Sequence, residues 1–308
     1  MTILITGASG MVGRHLVALL LQRGHAIRFL TTSARKTSSI AGASGFVWDP
    51  SRGTLDPDAL SGVECVVHLA GATIGKRWTG SYKREIISSR VQSAQVLYRA
   101  LETSIHRVSH FISASGIGIY PDSLTEHYDE KFTGAPNGFA GEVVRQWEQQ
   151  ADAFQKLGIG VAKVRTGLVL SKAGGALEKL VQPIKLGFGA PLGSGNQIVS
   201  WIHIDDLVGI YVKVIEEKLD GIYNAVAPGP VSQRVLTRQI ASVLQKPLWL
   251  PKVPRAILRM MLGEMSALLT EGQFVSSEKI IRSGYRFKFP EAGPALKDLL
   301  TKIPIGKP

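Results

Sequence analysis

Thr6-Gly7-Ala8-Ser9-Gly10-Met11-Val12-Gly13 follows a short apolar run beginning at Thr2 and leads into Val12, Leu16, Leu19 and Leu20, which recur at helical spacing. A glycine pattern of this kind gains its meaning from a strand before it and a helix after it, and both are present. Gly7 permits the tight turn, Gly10 lets a pyrophosphate approach the backbone, and Gly13 lets helix and strand pack closely. Ser9, Met11 and Val12 belong to the same cradle, whose helix N-terminus presents positive partial charge to a phosphate. The reading is therefore a strand over 2–6, a dinucleotide loop, and a first helix ended by Gly24.

Outward from the loop, short β-like runs alternate with helical patterns, as βαβ units of a parallel sheet require. Strands are predicted at Ala26 to Thr31, Phe46 to Trp48, Glu64 to Ala70, His110 to Ser115 and Ile159 to Arg165. A long helix is expected from Gly80 to Thr103, on Ile87, Val91, Ala94, Tyr98 and Leu101, and another from Gly138 to Leu157, on Val143, Trp147, Ala151 and Phe154. After Leu170 the rhythm is irregular and rich in glycine, which suits a substrate lobe, mainly 171–247. Pro251 and Pro254 mark a linker to a helical C-terminal piece. The fold expected is α/β: a Rossmann doubly wound parallel sheet with a smaller irregular lobe, divided as 1–247 and 248–308.

An NAD-preferring site holds an Asp or Glu at the end of its second strand. Here that position reads Thr31-Thr32-Ser33-Ala34-Arg35. Hydroxyls and a guanidinium suit a 2′-phosphate, so NADP(H) is favoured over NAD(H). Asp49 has two readings, an acceptor for the adenine amino group or a turn residue. Leu69, Ala70 and Gly71 bring small groups to the nicotinamide side.

A formal net charge of +12 invites a nucleic-acid reading, but the charges are dispersed, with no basic block interleaved with aromatics. No nucleic acid is expected, and a cleft for anionic small molecules or a solvated basic surface accounts for the charge. No apolar stretch is long enough to span a bilayer, and the chain enters its first strand without a leader, so a cytoplasmic protein free of the membrane is predicted. Cys65, the single cysteine, reads as a buried small hydrophobe. Self-association is left open.

The glycine loop, the strand ending His68-Leu69-Ala70-Gly71 and the strand carrying Ser113-Ala114-Ser115 resemble those of extended short-chain dehydrogenase/reductases. More narrowly, the chain resembles the atypical NAD(P)-dependent epimerase-like subgroup that carries a C-terminal domain of unknown function. That likeness runs through Arg77-Trp78-Thr79, Ser89-Arg90-Val91, Trp147-Glu148, Arg165 to Leu170, Ser200 to Leu207, Leu262-Gly263-Glu264-Met265, Glu271-Gly272-Gln273 and Gly284-Tyr285-Arg286-Phe287. It implies cofactor contacts at Ser113 as well as at the loop.

The resemblance also implies a Tyr-x-x-x-Lys acid/base pair at the start of the helix after the serine strand. This chain reads Phe139-Ala140-Gly141-Glu142-Val143 there, and both partners are missing. Ser115 remains as a donor to a reacting oxygen, although a shift of one position puts Gly116 in its place. Glu142 and Arg145 are either a base with its orienting cation or a surface ion pair. Tyr120 is either an acid or a packing residue. Lys76 and Arg77 are candidates to bind a substrate anion above the sheet's C-terminal edge. His203, Asp205 and Asp206 cannot all face one ion, so no metal site is expected, and Asp205 or Asp206 serves better as a helix cap. The function expected is an NADP(H)-binding epimerase or reductase acting on a small anionic hydroxylated or carbonyl substrate such as a nucleotide-sugar. The alternative is a non-catalytic NADP(H)-binding sensor or interaction module.

Overall fold

A computed structural model describes residues 1–135 and 138–301. Along the chain, β1 (Thr2–Thr6) leads to α1 (Met11–Gln22), β2 (Ala26–Thr31), β3 (Ala43–Asp49), β4 (Thr54–Leu55) and β5 (Cys65–His68). Then come α2 (Gly80–Glu102), β6 (His110–Gly116), β7 (His127–Tyr128), α3 (Gly138–Asp152) and β8 (Gly160–Thr166). The lobe adds β9 (Leu168–Leu170), α4 (Ala176–Lys185), β10 (Ile198–Val199), β11 (Trp201–His203), α5 (Ile204–Glu216), β12 (Gly221–Ala225), β13 (Val231–Ser232) and α6 (Gln233–Val243). The chain continues through α7 (Arg255–Leu262), α8 (Ala267–Thr270), β14 (Phe274–Val275), α9 (Glu278–Arg282) and α10 (Ala292–Thr301).

The central sheet runs β12-β8-β6-β5-β1-β2-β3-β4 and is parallel throughout except for β4, which turns back on β3. The order reverses direction between β1 and β5, the switch point at which open α/β sheets bind ligands. Both faces are covered, so the inner strands read as continuous apolar runs: every residue of β5 is buried. α1 and α5 bring Leu16, Leu20, Leu207 and Ile210 to one face, and α2, α3 and the 3₁₀ turn after α3 bring Leu97, Leu101, Ala151 and Phe154 to the other. Cys65 lies inside this packing, and burial pushes its thiol up to about 12, which keeps it protonated and inert.

The element ends differ from the sequence expectation for local reasons. β3 begins earlier, at Ala43, because Gly45 lets the strand press against Thr37 and Phe29; a Cβ there would sit 2.3 Å from the Thr37 oxygen. β5 stops at His68, where the Leu69 amide is shared between the Thr6 carbonyl and hydroxyl and the Ala70 amide turns to the Thr6 hydroxyl. The predicted helix to Leu157 is α only to Asp152 and then tightens to a 3₁₀ turn ended by Gly158 at φ 73. β12 escaped the sequence reading altogether.

The cap of α5 is also corrected. His203, not an aspartate, caps it, accepting from the Asp205 amide at 3.1 Å. Asp206 instead turns inward, where its carboxylate accepts from the Lys288 amide (2.7 Å), the Phe289 amide (2.9 Å) and the Tyr285 hydroxyl (3.0 Å). It pins the C-terminal segment onto the lobe, whose core unites Leu177, Trp201, Leu236 and Ile240 with Leu296 and Leu299 of α10. Asp206→Ala is expected to remove about 2–3 kcal/mol of stability, because buried donors lose a charged acceptor. Urea unfolding measures this, and a loss near zero would show that the clamp is dispensable. Among the described residues, no helix is long and apolar enough to cross a membrane.

Candidate dinucleotide cleft and its buried polar neighbours

The cleft is built where β1 and β5 end side by side. Gly7 adopts φ 69, and a Cβ on it would lie 2.9 Å from the Leu69 carbonyl. The turn thus rests on bare backbone. Gly13 is tighter, with a Cβ only 2.2 Å from the Gly7 oxygen. Gly10 is different in kind: its φ of −73 suits any residue, it is exposed, and a Cβ would meet only the Gly7 oxygen at 3.2 Å. Within the protein, that oxygen is the close neighbour that a side chain at 10 would meet. No side chain caps α1 and no acidic residue stands in its first turn, which leaves the positive helix end to a ligand. Met11 and Val12 open that turn, and Ser9 is held by its carbonyl, which accepts from Arg14 Nε at 2.6 Å.

Thr6 fixes the floor. Its Oγ accepts from the amides of Leu69 (3.1 Å) and Ala70 (3.0 Å) and lies 2.8 Å from His68 Nδ1. With both lone pairs engaged, the hydroxyl proton goes to Nδ1, so the imidazole carries its proton on Nε2 and donates to Ser93 Oγ at 3.1 Å. Ser93 in turn donates to the Arg90 carbonyl. Burial, and then the charge of Arg90, push His68 down to about 4, which keeps it neutral at pH 7. The loop after β5 is thereby locked to β1.

At the end of β2, Thr31 Oγ accepts from the Ser33 amide at 3.3 Å, and Ser33 precedes the 3₁₀ turn Ala34–Lys36. Thr32 and Arg35 are exposed there, and no acidic residue stands in that turn. Asp49 stands at the turn after β3, where Oδ1 accepts from the Ser51 amide (2.9 Å), the Ser51 hydroxyl (2.6 Å) and the Arg52 amide (3.2 Å).

Beyond Gly71 the structure departs from the sequence expectation. Ser113 and Ser115 alternate on the face of β6 that meets α3, and both are buried. Ser113 donates to the Ala114 carbonyl, and Ser115 donates to Glu148 Oε1 at 2.6 Å. Glu148 is gripped by Arg165 through two bonds of 2.8 Å, and Arg165 Nη1 donates to the Tyr120 hydroxyl at 3.0 Å. Tyr120 then donates to Asn224 Oδ1 at 2.8 Å. Burial alone would raise the Glu148 carboxyl, but Arg165, Ser115 and Lys163 outweigh it and hold the group below the usual range. Burial raises the Tyr120 hydroxyl, so it stays protonated.

Ser115 and Tyr120 are therefore joined, but through Glu148 and Arg165, which the sequence reading left without a role. Glu142 and Arg145 are not brought to Ser115. Gly141, Val143, Val144, Trp147, Glu148 and Ala151 form the buried side of α3, whereas Glu142 and Arg145 fall outside it, with side chains 38% and 43% exposed. They pair with each other at 2.5 Å, and the bonds from Arg145 and Gln146 hold Glu142 at about 2, too weak a base for neutral pH. The surface-pair reading is the one the geometry fits.

Phe139, where the resemblance places the tyrosine, lines a cavity of about 220 Å³ together with Trp78 and the C-terminal residues Arg255, Arg259, Glu264 and Glu271. Arg255 pairs with Glu271 at 3.0 Å and Glu264 with Lys83. Lys76 is exposed above the Tyr82 ring, 5.5 Å from its centroid, and Arg77 reaches toward Gly263. Among the described residues, no group of three or more His, Cys, Asp or Glu could hold a metal.

Comparison with known proteins agrees with this architecture. Residues 3–225 match the NAD dependent epimerase/dehydratase family, and residues 253–299 match a domain of unknown function, DUF1731. An epimerase family protein of Staphylococcus epidermidis is 39% identical over 301 residues, covering 96% of this chain and 98% of its own. One from Staphylococcus aureus is 35% identical over 306 residues, covering 97% and 99%. Among solved structures, human epimerase family protein SDR39U1 with NADPH superposes with a TM-score of 0.85 at 30% identity, covering 98% of this chain and 100% of that one. Thermus thermophilus UDP-glucose 4-epimerase with NAD gives 0.77 at 18%, covering 98% and 100%, a likeness of fold.

Proposed function

The chain belongs to the NAD dependent epimerase/dehydratase family, and on that premise we propose that it binds NADP(H) and acts with it on a small anionic hydroxylated or carbonyl compound, of which a nucleotide-sugar is one form. The observation that carries this reading is the cradle itself: an exposed Gly10 at which an added Cβ would meet only the Gly7 oxygen, at the uncapped end of α1, beside a β2 edge free of carboxylates. The NADPH held by the human relative supports the choice of cofactor. Gly7, Gly10 and Gly13 would hold the pyrophosphate, Thr31, Thr32, Ser33 and Arg35 the 2′-phosphoribose, and Leu69, Ala70 and Gly71 the nicotinamide side. A bound nicotinamide supplies hydride transfer.

In the cavity beside Phe139, Arg255 is paired with Glu271 and Glu264 with Lys83, so Arg259 is the cation there that an anionic substrate would use. Both arginines come from the C-terminal unit, 248–308 in our division, while 1–247 supplies the dinucleotide cleft. Ser115 would donate to the reacting oxygen only after turning from Glu148. That requirement favours a second reading, a dinucleotide-binding module without turnover, because the hydroxyl is already engaged at 2.6 Å in a buried network.

Arg35→Ala is expected to weaken NADPH about tenfold, the scale of one charge-assisted hydrogen bond, while leaving NADH unchanged. Titration by nicotinamide fluorescence reads both. Equal affinities of the wild type for the two cofactors would defeat the NADP(H) assignment. Oxidation of bound NADPH by a panel of carbonyl compounds, or reduction of bound NADP⁺ by the corresponding hydroxylated ones, separates the enzyme from the binding module.

A further inference from the structure

Every buried cation of the network above has its anion: Arg165 has Glu148, and Lys163 has Asp152 at 2.7 Å. Arg90 does not. It projects from α2, is 8% exposed, and donates from Nη1 to the carbonyls of Ala72 (3.1 Å) and Ile86 (2.9 Å). Its Nε is buried with no acceptor, and among the described residues no carboxylate pairs with it. The guanidinium carbon lies 4.7 Å from the Trp147 ring centroid, and Trp147 Nε1 is likewise buried with no acceptor. A Cβ on Gly71 would fall 3.1 Å from that carbon, so bare backbone is what lets the group lie at the end of β5.

Two buried donors without an acceptor thus sit on stacked side chains, and the cation among them lies beside Gly71 at the end of β5. Burial pulls Arg90 down to about 10, and it remains charged at neutral pH. Its position also has a logic in the sequence. Val143, where the resemblance places the lysine, packs with Ile86, one turn before Arg90 on α2. Trp147 follows Val143 by one turn of α3. Arg90 thus presents a cation from α2 across the same helix contact, over the ring of Trp147.

We infer that Arg90 and Trp147 form an oxyanion site at the end of β5, which takes a phosphate or carboxylate group of a ligand held in the cleft. The anion has two sources, the dinucleotide's own pyrophosphate or an acidic group of the substrate, and only the first rests on the proposed dinucleotide reading. Either would accept from the guanidinium and the indole, groups that bind planar or tetrahedral oxyanions with good geometry.

The test follows Trp147 emission, taken as the wild-type signal less that of Trp147→Phe, during titration with inorganic phosphate, pyrophosphate and 2′-phospho-ADP-ribose. Emission should respond in the wild type, and Arg90→Met should weaken the response roughly ten- to hundredfold, with Arg90→Lys between them. If Arg90→Met weakens 2′-phospho-ADP-ribose but not 2′,5′-ADP, which lacks the pyrophosphate, the dinucleotide supplies the anion. If it spares both and weakens only phosphate or pyrophosphate added to NADPH-saturated protein, the substrate does. Trp147 emission that is silent to every probe in the wild type overturns the inference, as does a folded Arg90→Met that binds each probe normally. Should Arg90→Met fail to fold, Arg90→Lys and the wild-type emission decide. Wild-type protein that ignores NADPH yet responds to phosphate removes the dinucleotide reading and leaves the oxyanion site standing.

Discussion

Glu148→Ala is expected to cost about 3–5 kcal/mol of stability at pH 7, the scale of a buried ion pair from which one partner is removed. The variant leaves Arg165 in the interior with its two 2.8 Å bonds broken, and leaves the Ser115 hydroxyl without its acceptor. Glu148→Gln keeps an acceptor and the shape but not the charge, so it should cost less. The pH dependence has a definite sign. The folded-state carboxyl of Glu148 is held below its ordinary value, so its contribution is complete above the unfolded glutamate range, about 4.3, and is lost as pH falls through the lowered folded value. Urea unfolding of the wild type should therefore show stability falling from that point downward, and Glu148→Ala should show a flatter profile there. Equal stabilities at pH 7 would mean that the network is not a structural tie, and the case for Ser115 turning freely toward a substrate would strengthen.

That network shows where sequence reasoning reached and where it stopped. α2 was legible almost to the residue, because its apolar spacing persists over 23 residues and Thr79 caps it, accepting from the Tyr82 amide. The glycine loop was legible because strand, turn and helix are contiguous. Glu148 was harder: its partners lie 33 residues before it and 17 after it, on β6 and β8. A signal was nonetheless present. Arg165 ends a run, Val161 to Val164, whose residues are all buried, and a cation at such a place needs an anion. Glu148 sits beside Trp147 on the stripe that continues from Val144, which marks it as the carboxylate facing inward. Glu142 and Arg145 drew attention instead because they stand at the helix start where the resemblance puts Tyr and Lys.

Gly10→Val is expected to yield a folded protein that no longer binds a dinucleotide, with affinity reduced at least a hundredfold. The structure separates this residue from the other glycines of the loop. A side chain on Gly13 would drive into the Gly7 oxygen at 2.2 Å and the Ala8 Cα at 2.7 Å, and one on Gly7 would combine a left-handed φ with a contact of 2.9 Å, so substitution at either attacks the fold. At Gly10 the backbone is in a region open to valine, and a Cβ would meet only the Gly7 oxygen at 3.2 Å, a contact that a shift of a few tenths of an ångström relieves. The cost to the fold should stay within about 1 kcal/mol, the ordinary scale for a surface position. The two methyl groups would nevertheless stand over the uncapped N-terminus of α1, in the space through which a pyrophosphate must reach its amides. Far-ultraviolet circular dichroism and thermal unfolding report the first half of this expectation, and NADPH fluorescence titration the second. A Gly10→Val protein that is folded and binds NADPH as the wild type does would place the dinucleotide elsewhere. A matched Gly13→Val protein, expected to unfold, shows whether the difference between the two glycines lies in the fold or in the ligand.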